Sequence, residues 1–292
     1  MPWQIPVFLS MLVGRVIAPI IIKNVASAPS RTRNLVWQYF FAALLASLTA
    51  LISGDTFSIG QSLIVASIGF FNAFACYCQW RAINISLSKT SLFTQADDLI
   101  CLLLGYAVLG EGKILNLYLI IGIILCLGSA LLFVWQKPAK DKGVTPNNKI
   151  WLWIALYSII WGVAIFSMRF FSSVDGMSLP AFAFSWYIGS LIGAGFVFLL
   201  GGKKEAGMPL KPRQIGKVSI LAFIIWISLS ISYWARSIAP LTIIQPIDQV
   251  AEMILPTIVG LWIFKESANL SRLSQIAILL GLTGGMIIVF GY

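Results

Sequence analysis

The sequence predicts an all-α membrane protein of ten transmembrane helices, arranged as two inverted five-helix repeats. Three observations carry this reading: a composition too apolar for a soluble core, ten apolar stretches of bilayer length, and a self-similarity at an offset of 155 residues. Of 292 residues, 59% are hydrophobic and 10% are charged, and the mean hydropathy is +0.92. A soluble domain carries about 25% charged residues and cannot hide so much apolar surface in one core, so lipid is the natural solvent. A helix needs about 20 mostly apolar residues to cross a bilayer. The predicted spans are 4–23, 34–53, 61–82, 88–110, 114–136, 150–172, 179–200, 214–237, 240–264 and 270–291. They use nearly the whole chain and leave no room for a soluble domain.

The breaks between spans carry ordinary turn residues, such as Ser27-Ala28-Pro29-Ser30 and Ser53-Gly54-Asp55, and the two longest are polar and basic. The predicted organisation is a first five-helix repeat over 1–136, a basic linker over 137–149 and a second five-helix repeat over 150–292. Sixteen of the twenty Lys and Arg residues fall in alternate connections, while the opposite side holds Lys113, Arg169 and Arg236 and the first span holds Arg15. That asymmetry is a topology signal, and it predicts cytoplasmic basic loops with both termini outside. The net charge of +10 is therefore read as membrane topology rather than nucleic-acid binding. The expected location is a bacterial inner (plasma) membrane, multi-pass, with no cleavable signal peptide at the N-terminus.

Several chemistries are unsupported. The chain has no histidine, and its four cysteines lie inside apolar runs without a CxxC spacing. They read as small buried residues of helices. No Gly-rich phosphate cradle is present, which argues against direct ATP-driven pumping. No cofactor and no metal are expected, and the chain is not read as an enzyme.

The repeat is clearest between the segment starting at Trp80 and that starting at Ala235. Under the 155 offset Arg81 falls on Arg236, Ile83 on Ile238, Ala96 on Ala251, Gly105 on Gly260 and Glu111 on Glu266. Asp97 falls on Glu252, an acidic pair within apolar helices. The earlier helices match at an offset near 148, pairing Gly14 with Gly162 and Tyr39 with Tyr187. Each half holds an odd number of predicted spans, so the second enters the membrane inverted, an architecture of many secondary transporters.

Two repeats, with helix ends at Gly110-Glu111 and Lys265-Glu266 and with Trp161-Gly162 in the sixth span, resemble the drug/metabolite transporter superfamily, in particular its EamA-like members. The likeness runs over nearly the whole chain. It implies a secondary active transporter, often an exporter, of amino acids, related amphiphilic metabolites or drugs, with a cavity between the halves. The first span reads Val13-Gly14 and lacks the tryptophan of that pattern. Proteins of this kind more usually keep both termini in the cytoplasm, the opposite of the charge-based orientation.

An ionisable side chain at the middle of a membrane helix costs about 2.5–3.5 kcal/mol on insertion scales, so each needs a partner, water or a function. The candidates for a substrate or proton site are Asp97 and Glu252, with Asp248 one helical turn before Glu252, then Arg15 and Asp98. Asp97 and Glu252 are read as symmetry-related acids facing a cavity, with a proton as the coupling ion. Arg15 could hold a substrate carboxylate, or pair with Asp97 or Asp98. Arg81 and Arg236 lie near span ends and are read as snorkelling to the interface. Trp161, Tyr39 and Tyr187 are candidate cavity-lining aromatics. Glu111 and Glu266 read as capping or interfacial groups. Small residues such as Gly122, Ser129, Gly281 and Gly284 predict close packing of the fifth and tenth spans. Expected partners are a small-molecule substrate and the lipid bilayer, for a monomer or homodimer. The competing readings are a flippase of lipids or lipid-linked sugars and, from another class, a membrane-embedded enzyme.

Overall fold

The computed structural model describes residues 3–26, 30–56, 58–85, 96–135, 149–201, 210–262 and 272–291, and among them it is helical throughout, without strands. The first rod comprises α1 (Gln4–Met11), a π-helical segment (Leu12–Ile17) and α2 (Ala18–Ala26). Then follow α3 (Arg31–Ser53), α4 (Ile59–Ile85), α5 (Ala96–Val108), a 3-10 turn (Glu111–Ile114) and α6 (Leu117–Trp135). The remainder is α7 (Lys149–Ser173), α8 (Leu179–Leu200), α9 (Pro212–Ile238), α10 (Leu241–Trp262) and α11 (Arg272–Gly291). Six of these rods are long and apolar enough to cross a bilayer: Gln4–Val25, Arg31–Ser53, Ile59–Asn84, Leu152–Ser173, Leu179–Leu200 and Pro212–Ile238. Their outer faces carry large exposed apolar side chains such as Leu51, Ile52, Ile59 and Leu199. The chain is thus an α-helical membrane protein whose apolar perimeter suits lipid rather than water.

Local sequence explains several helix ends. Ser178 caps α8, its hydroxyl accepting from the Ala181 N–H at 3.4 Å, and Pro180 in the first turn needs no N–H partner. Pro212 opens α9 in the same way. Gly54 ends α3 with φ 65, a left-handed conformation that glycine adopts without strain. The π segment ends two residues before Pro19, which cannot donate to the carbonyl of Arg15. A widened turn is a usual way for a helix to absorb that break. The described part of the predicted fourth span starts at Ala96, and residues 86–95 lie outside the description.

Two apolar cores organise the bundle. One gathers α2, α3, α4, α7, α8 and α9 around Leu35, Tyr39, Trp80, Phe182, Trp186 and Tyr187. The other gathers α1, α6, α10 and α11 around Leu119, Cys126, Ile243, Ile244 and Ile288. The tightest approach is between α4 and α8. A Cβ at Gly189 would stand 1.9 Å from the Ala66 carbonyl oxygen, one at Gly193 would stand 2.3 Å from that of Phe70, and one at Gly69 would stand 2.2 Å from that of Trp186. The Ser190 hydroxyl donates to the Gly69 carbonyl at 2.9 Å across the same seam. Backbone-to-backbone packing through small residues is how membrane helices associate when lipid removes the hydrophobic drive.

The packing partners run between the two chain halves in a reciprocal way. Helix α4 packs on α8 and α3 on α9; α4 also packs on α7, while the first rod packs on α9. Helices α3 and α8 pack on each other, as do α6 and α11. At the α6–α11 seam the Ser129 hydroxyl donates to the Ala277 carbonyl at 2.6 Å. Gly122 and Gly284 meet at the same seam, where a Cβ on Gly122 would stand 2.9 Å from the Gly284 oxygen.

Candidate functional site

The ionisable residues of the interior collect where α5, α7, α9 and α10 meet. Helix α9 stops at Ile238, and the Ala239-Pro240 turn folds α10 straight back beside it. That turn brings Arg236 against Asp248, with Nη2 to Oδ2 at 3.0 Å. The same nitrogen donates to Gln245 Oε1 at 3.2 Å, and Nη1 donates to the Ser232 carbonyl at 3.3 Å. Arg236 is 3% exposed and Asp248 4%. The sequence expectation that Arg236 snorkels to the interface is therefore corrected. An acid on the next helix satisfies it inside the bundle, and burial of the pair is tolerated because the two charges meet directly and the guanidinium also donates to Gln245 and to the Ser232 carbonyl.

Gln245 extends the network across the halves. Its Nε2 donates to Asp98 Oδ1 at 2.5 Å. Because the Gln245 oxygen faces Arg236, its amide nitrogen faces the carboxylate, so one amide joins a cation on α9 to an acid on α5. Asp97 and Asp98 are both 0% exposed. Asp97 Oδ1 accepts from the Asp98 backbone N–H at 2.9 Å, in the first described turn of α5. The Asp97 carbonyl lies against α7 at Gly162, where a Cβ would stand 2.7 Å from it.

A second cluster adjoins the first. Gly110 takes φ 65 and turns the chain from α5 into the 3-10 turn that Glu111 begins. Glu111, 5% exposed, is directed inward. Its Oε1 accepts from Arg169 Nε of α7 at 3.0 Å. Its Oε2 accepts from the Thr242 N–H at 3.2 Å and from the Thr242 hydroxyl at 3.4 Å. Thr242 sits in the first turn of α10, where backbone N–H groups lack helical partners and an anion is favoured. Glu111 of the first half thus caps a helix of the second. Arg169 Nη1 donates to the Arg236 carbonyl at 2.6 Å, which ties the two clusters together.

Of the remaining candidates, Trp161 packs beside this centre, while Tyr39 and Tyr187 lie in the larger apolar core. Arg15 is part-buried in the π segment, which packs on α9 and α10. Trp161 stacks on Tyr157 at 6.1 Å and 18°, meets Trp186 edge-on at 6.4 Å, and packs against the small apolar cluster of Cys101, Ile165 and Leu241. Tyr39 and Tyr187 lie side by side, ring centroids 6.4 Å apart, both buried. The Tyr39 hydroxyl accepts from Asn72 at 3.2 Å, and the Tyr187 hydroxyl donates to the Ile225 carbonyl at 3.0 Å. Glu252 lies on α10 one turn beyond Asp248, but its side chain and the whole of Glu266 are outside the described residues. Arg81 places its guanidinium 5.0 Å from the Tyr77 ring and 4.8 Å from the Trp153 ring. An apolar groove of about 460 Å³, lined by Phe70, Ile192, Gly195, Phe196, Phe198 and Leu199, lies apart from the polar centre.

Sequence reasoning passed over Gln245, Thr242 and Arg169. A glutamine three residues before an intramembrane aspartate was the available signal for Gln245. For Thr242 the sequence offers none, because its role depends on a carboxylate supplied from a distant segment.

Fold and site together define a helical membrane protein with a buried, closed centre of acids and arginines shared between its two halves. No protein-family model matches the sequence, and no curated protein matches it. It is similar to a solved crystal structure of a protein with a TM-score of 0.70, over 98% of this chain and 95% of that one, at 14% sequence identity. At that identity the likeness concerns the fold alone.

Proposed function

We propose that this chain is a secondary active transporter of small metabolites such as amino acids or related amphiphilic compounds, working by alternating access between two inverted five-helix repeats of the EamA-like kind. The observation that carries the reading is the buried centre itself. Asp97, Asp98 and Glu111 come from the first half, and Arg169, Arg236, Gln245 and Asp248 from the second. A structure needing only stability gains little from such a network, since apolar residues of the same volume serve as well or better. Intramembrane ionisable groups are by default markers of a substrate or proton path.

The repeat reading has support in the packing. Under the 155 offset Cys126 corresponds to Gly281, Gly122 to Ala277 and Ser129 to Gly284. Cys126 Sγ lies 3.9 Å from the Gly281 carbonyl oxygen. The Gly122–Gly284 contact and the Ser129–Ala277 contact exchange with one another under the same offset. Such an exchange is what a two-fold axis through the α6–α11 seam would produce. The pairing of α4 with α8 and of α3 with α9 follows the same rule.

In this reading Asp98 and Asp248 take a proton or the ammonium of a substrate, and the arginines hold a carboxylate or the acids' charge in its absence. The coupling is to protons, or the transport is facilitative, and export is the expected direction. A thermal-shift screen of the purified protein against amino acids, nucleotides, sugars and cationic drugs tests it. A ligand at about 100 times its Kd should stabilise the fold by about 2.7 kcal/mol. The stabilising class should lose its effect in Asp98→Asn. Stabilisation of equal size in that variant would remove Asp98 from the site.

A further inference from the structure

We infer that Glu111 and Arg169 form the closed gate of one membrane face, and that Arg236 links this gate to the acids at the centre. The inference rests on the alternating-access reading above and assigns that site its moving parts.

One carboxylate and one guanidinium hold four elements together here. Glu111 binds Arg169 of α7 and the first turn of α10, and Arg169 binds the last turn of α9 through the Arg236 carbonyl. Every one of these contacts except the last joins the first half to the second. All four partners sit at chain reversals on the same side: the turn after α5, the end of α7, the end of α9 and the start of α10. That side is the one poor in Lys and Arg. An opening between the halves on this face cannot occur while the Glu111 contacts persist.

The region beneath the gate is apolar and closed. Gly105 of α5 lets it close, since a Cβ there would stand 3.3 Å from Leu241 Cδ1 and 3.7 Å from Glu111 Oε2. Cys101, one turn earlier on α5, is fully buried against Ile165 and Leu241. An opening of the gate exposes Cys101 to water from that face.

Arg236 belongs to both clusters. Its carbonyl is held by Arg169, and its guanidinium by Asp248 and Gln245, the latter bound to Asp98. Neutralising Asp248, by a proton or by a bound cation, removes the counter-charge that fixes the Arg236 side chain, and neutralising Asp98 weakens the hold on the Gln245 amide that also contacts it. The last turn of α9 then loses one of its two anchors, and the gate loses part of its footing. Occupancy at the centre and closure at the face thereby share one residue, which is the condition for coupling between them.

The test uses the full chain in membrane vesicles of both orientations, with Cys76, Cys78 and Cys126 replaced by alanine so that Cys101 is the one thiol. A membrane-impermeant thiol reagent reads its accessibility. Glu111→Gln, which keeps the shape and the contact with Thr242, and Arg169→Gln should each raise the labelling rate at least about tenfold, from one face only. Asp248→Asn should raise it from the same face. The double variant Glu111→Gln/Asp248→Asn should fall well short of the product of the two single effects, because both act on one closed state. Unchanged labelling in the gate variants overturns the inference, as does labelling that rises equally from both faces, which signals a loosened bundle. Multiplicative single effects overturn the link through Arg236. Alternating access itself is judged by solute-dependent transport, so the gate can fail without that reading failing.

Discussion

Arg236→Ala is expected to destabilise the folded protein by about 3–5 kcal/mol, the range found when one partner of a buried ion pair is removed. The cause is not the lost attraction alone. Asp248 stays inside the bundle, 4% exposed, with no cation on α9 to meet it. Gln245 loses the donor that holds its oxygen, which frees the amide contacting Asp98. Two acids thus lose their arrangement through one substitution. The measurement is a thermal melt of the detergent-solubilised variant beside the double variant Arg236→Gln/Asp248→Asn. Removing both charges leaves neutral groups able to hydrogen-bond, and most of the loss should be recovered. A double variant no more stable than Arg236→Ala would mean that the ion pair is not what fixes this corner.

Gly189→Leu is expected to abolish accumulation of folded protein. Its Cβ alone would stand 1.9 Å from a backbone oxygen of α4, so no side-chain rotation relieves the clash. The helices must separate, and Gly193 and Gly69 lose their close contacts along the same seam. Overpacking of an ordinary core costs about 1–3 kcal/mol where side chains can shift; here backbone must move, and the loss should exceed that. Gly195→Leu is the matched control on the same helix, since a Cβ there meets nothing within 4 Å. Size-exclusion profiles of the two variants should differ sharply: monodisperse protein for Gly195→Leu, aggregate or nothing for Gly189→Leu.

The helical membrane character was legible because it is written in composition and in runs of bilayer length. The α8 boundaries were legible for a local reason, as Ser178, Pro180 and Gly201 punctuate them. Glu111 stood out because an acid after a glycine at a helix end is a local pattern, and the left-handed Gly110 is what turns the chain there. Its partners could not be read, since Arg169 and Thr242 lie 58 and 131 residues away. Arg236 was misjudged for a related reason. Position near a helix end suggests snorkelling, and only the Ala239-Pro240 reversal brings Asp248 within reach. Asp98 comes after Asp97 among the candidates because adjacent residues on a helix point about 100° apart, which says how two side chains diverge and not which of them meets a neighbour. The contact with Gln245 supplies that information. Tyr39 and Tyr187 were singled out by the repeat and lie against each other, buried, each with its hydroxyl in a hydrogen bond. The symmetry proposed for Asp97 and Glu252 concerns a side chain outside the described residues.

The central claim is that the buried acids take up and release protons as a solute crosses the membrane. Proteoliposomes carrying an internal pH indicator test it most directly, with amino acids, nucleotides, sugars and cationic drugs added outside in turn. Addition of one solute class should change the internal pH in wild-type vesicles and not in Asp98→Asn vesicles, with no change in empty liposomes. The claim would be contradicted if the stabilising ligand class crossed the membrane at the same rate, with the same proton movement, in Asp98→Asn and wild type.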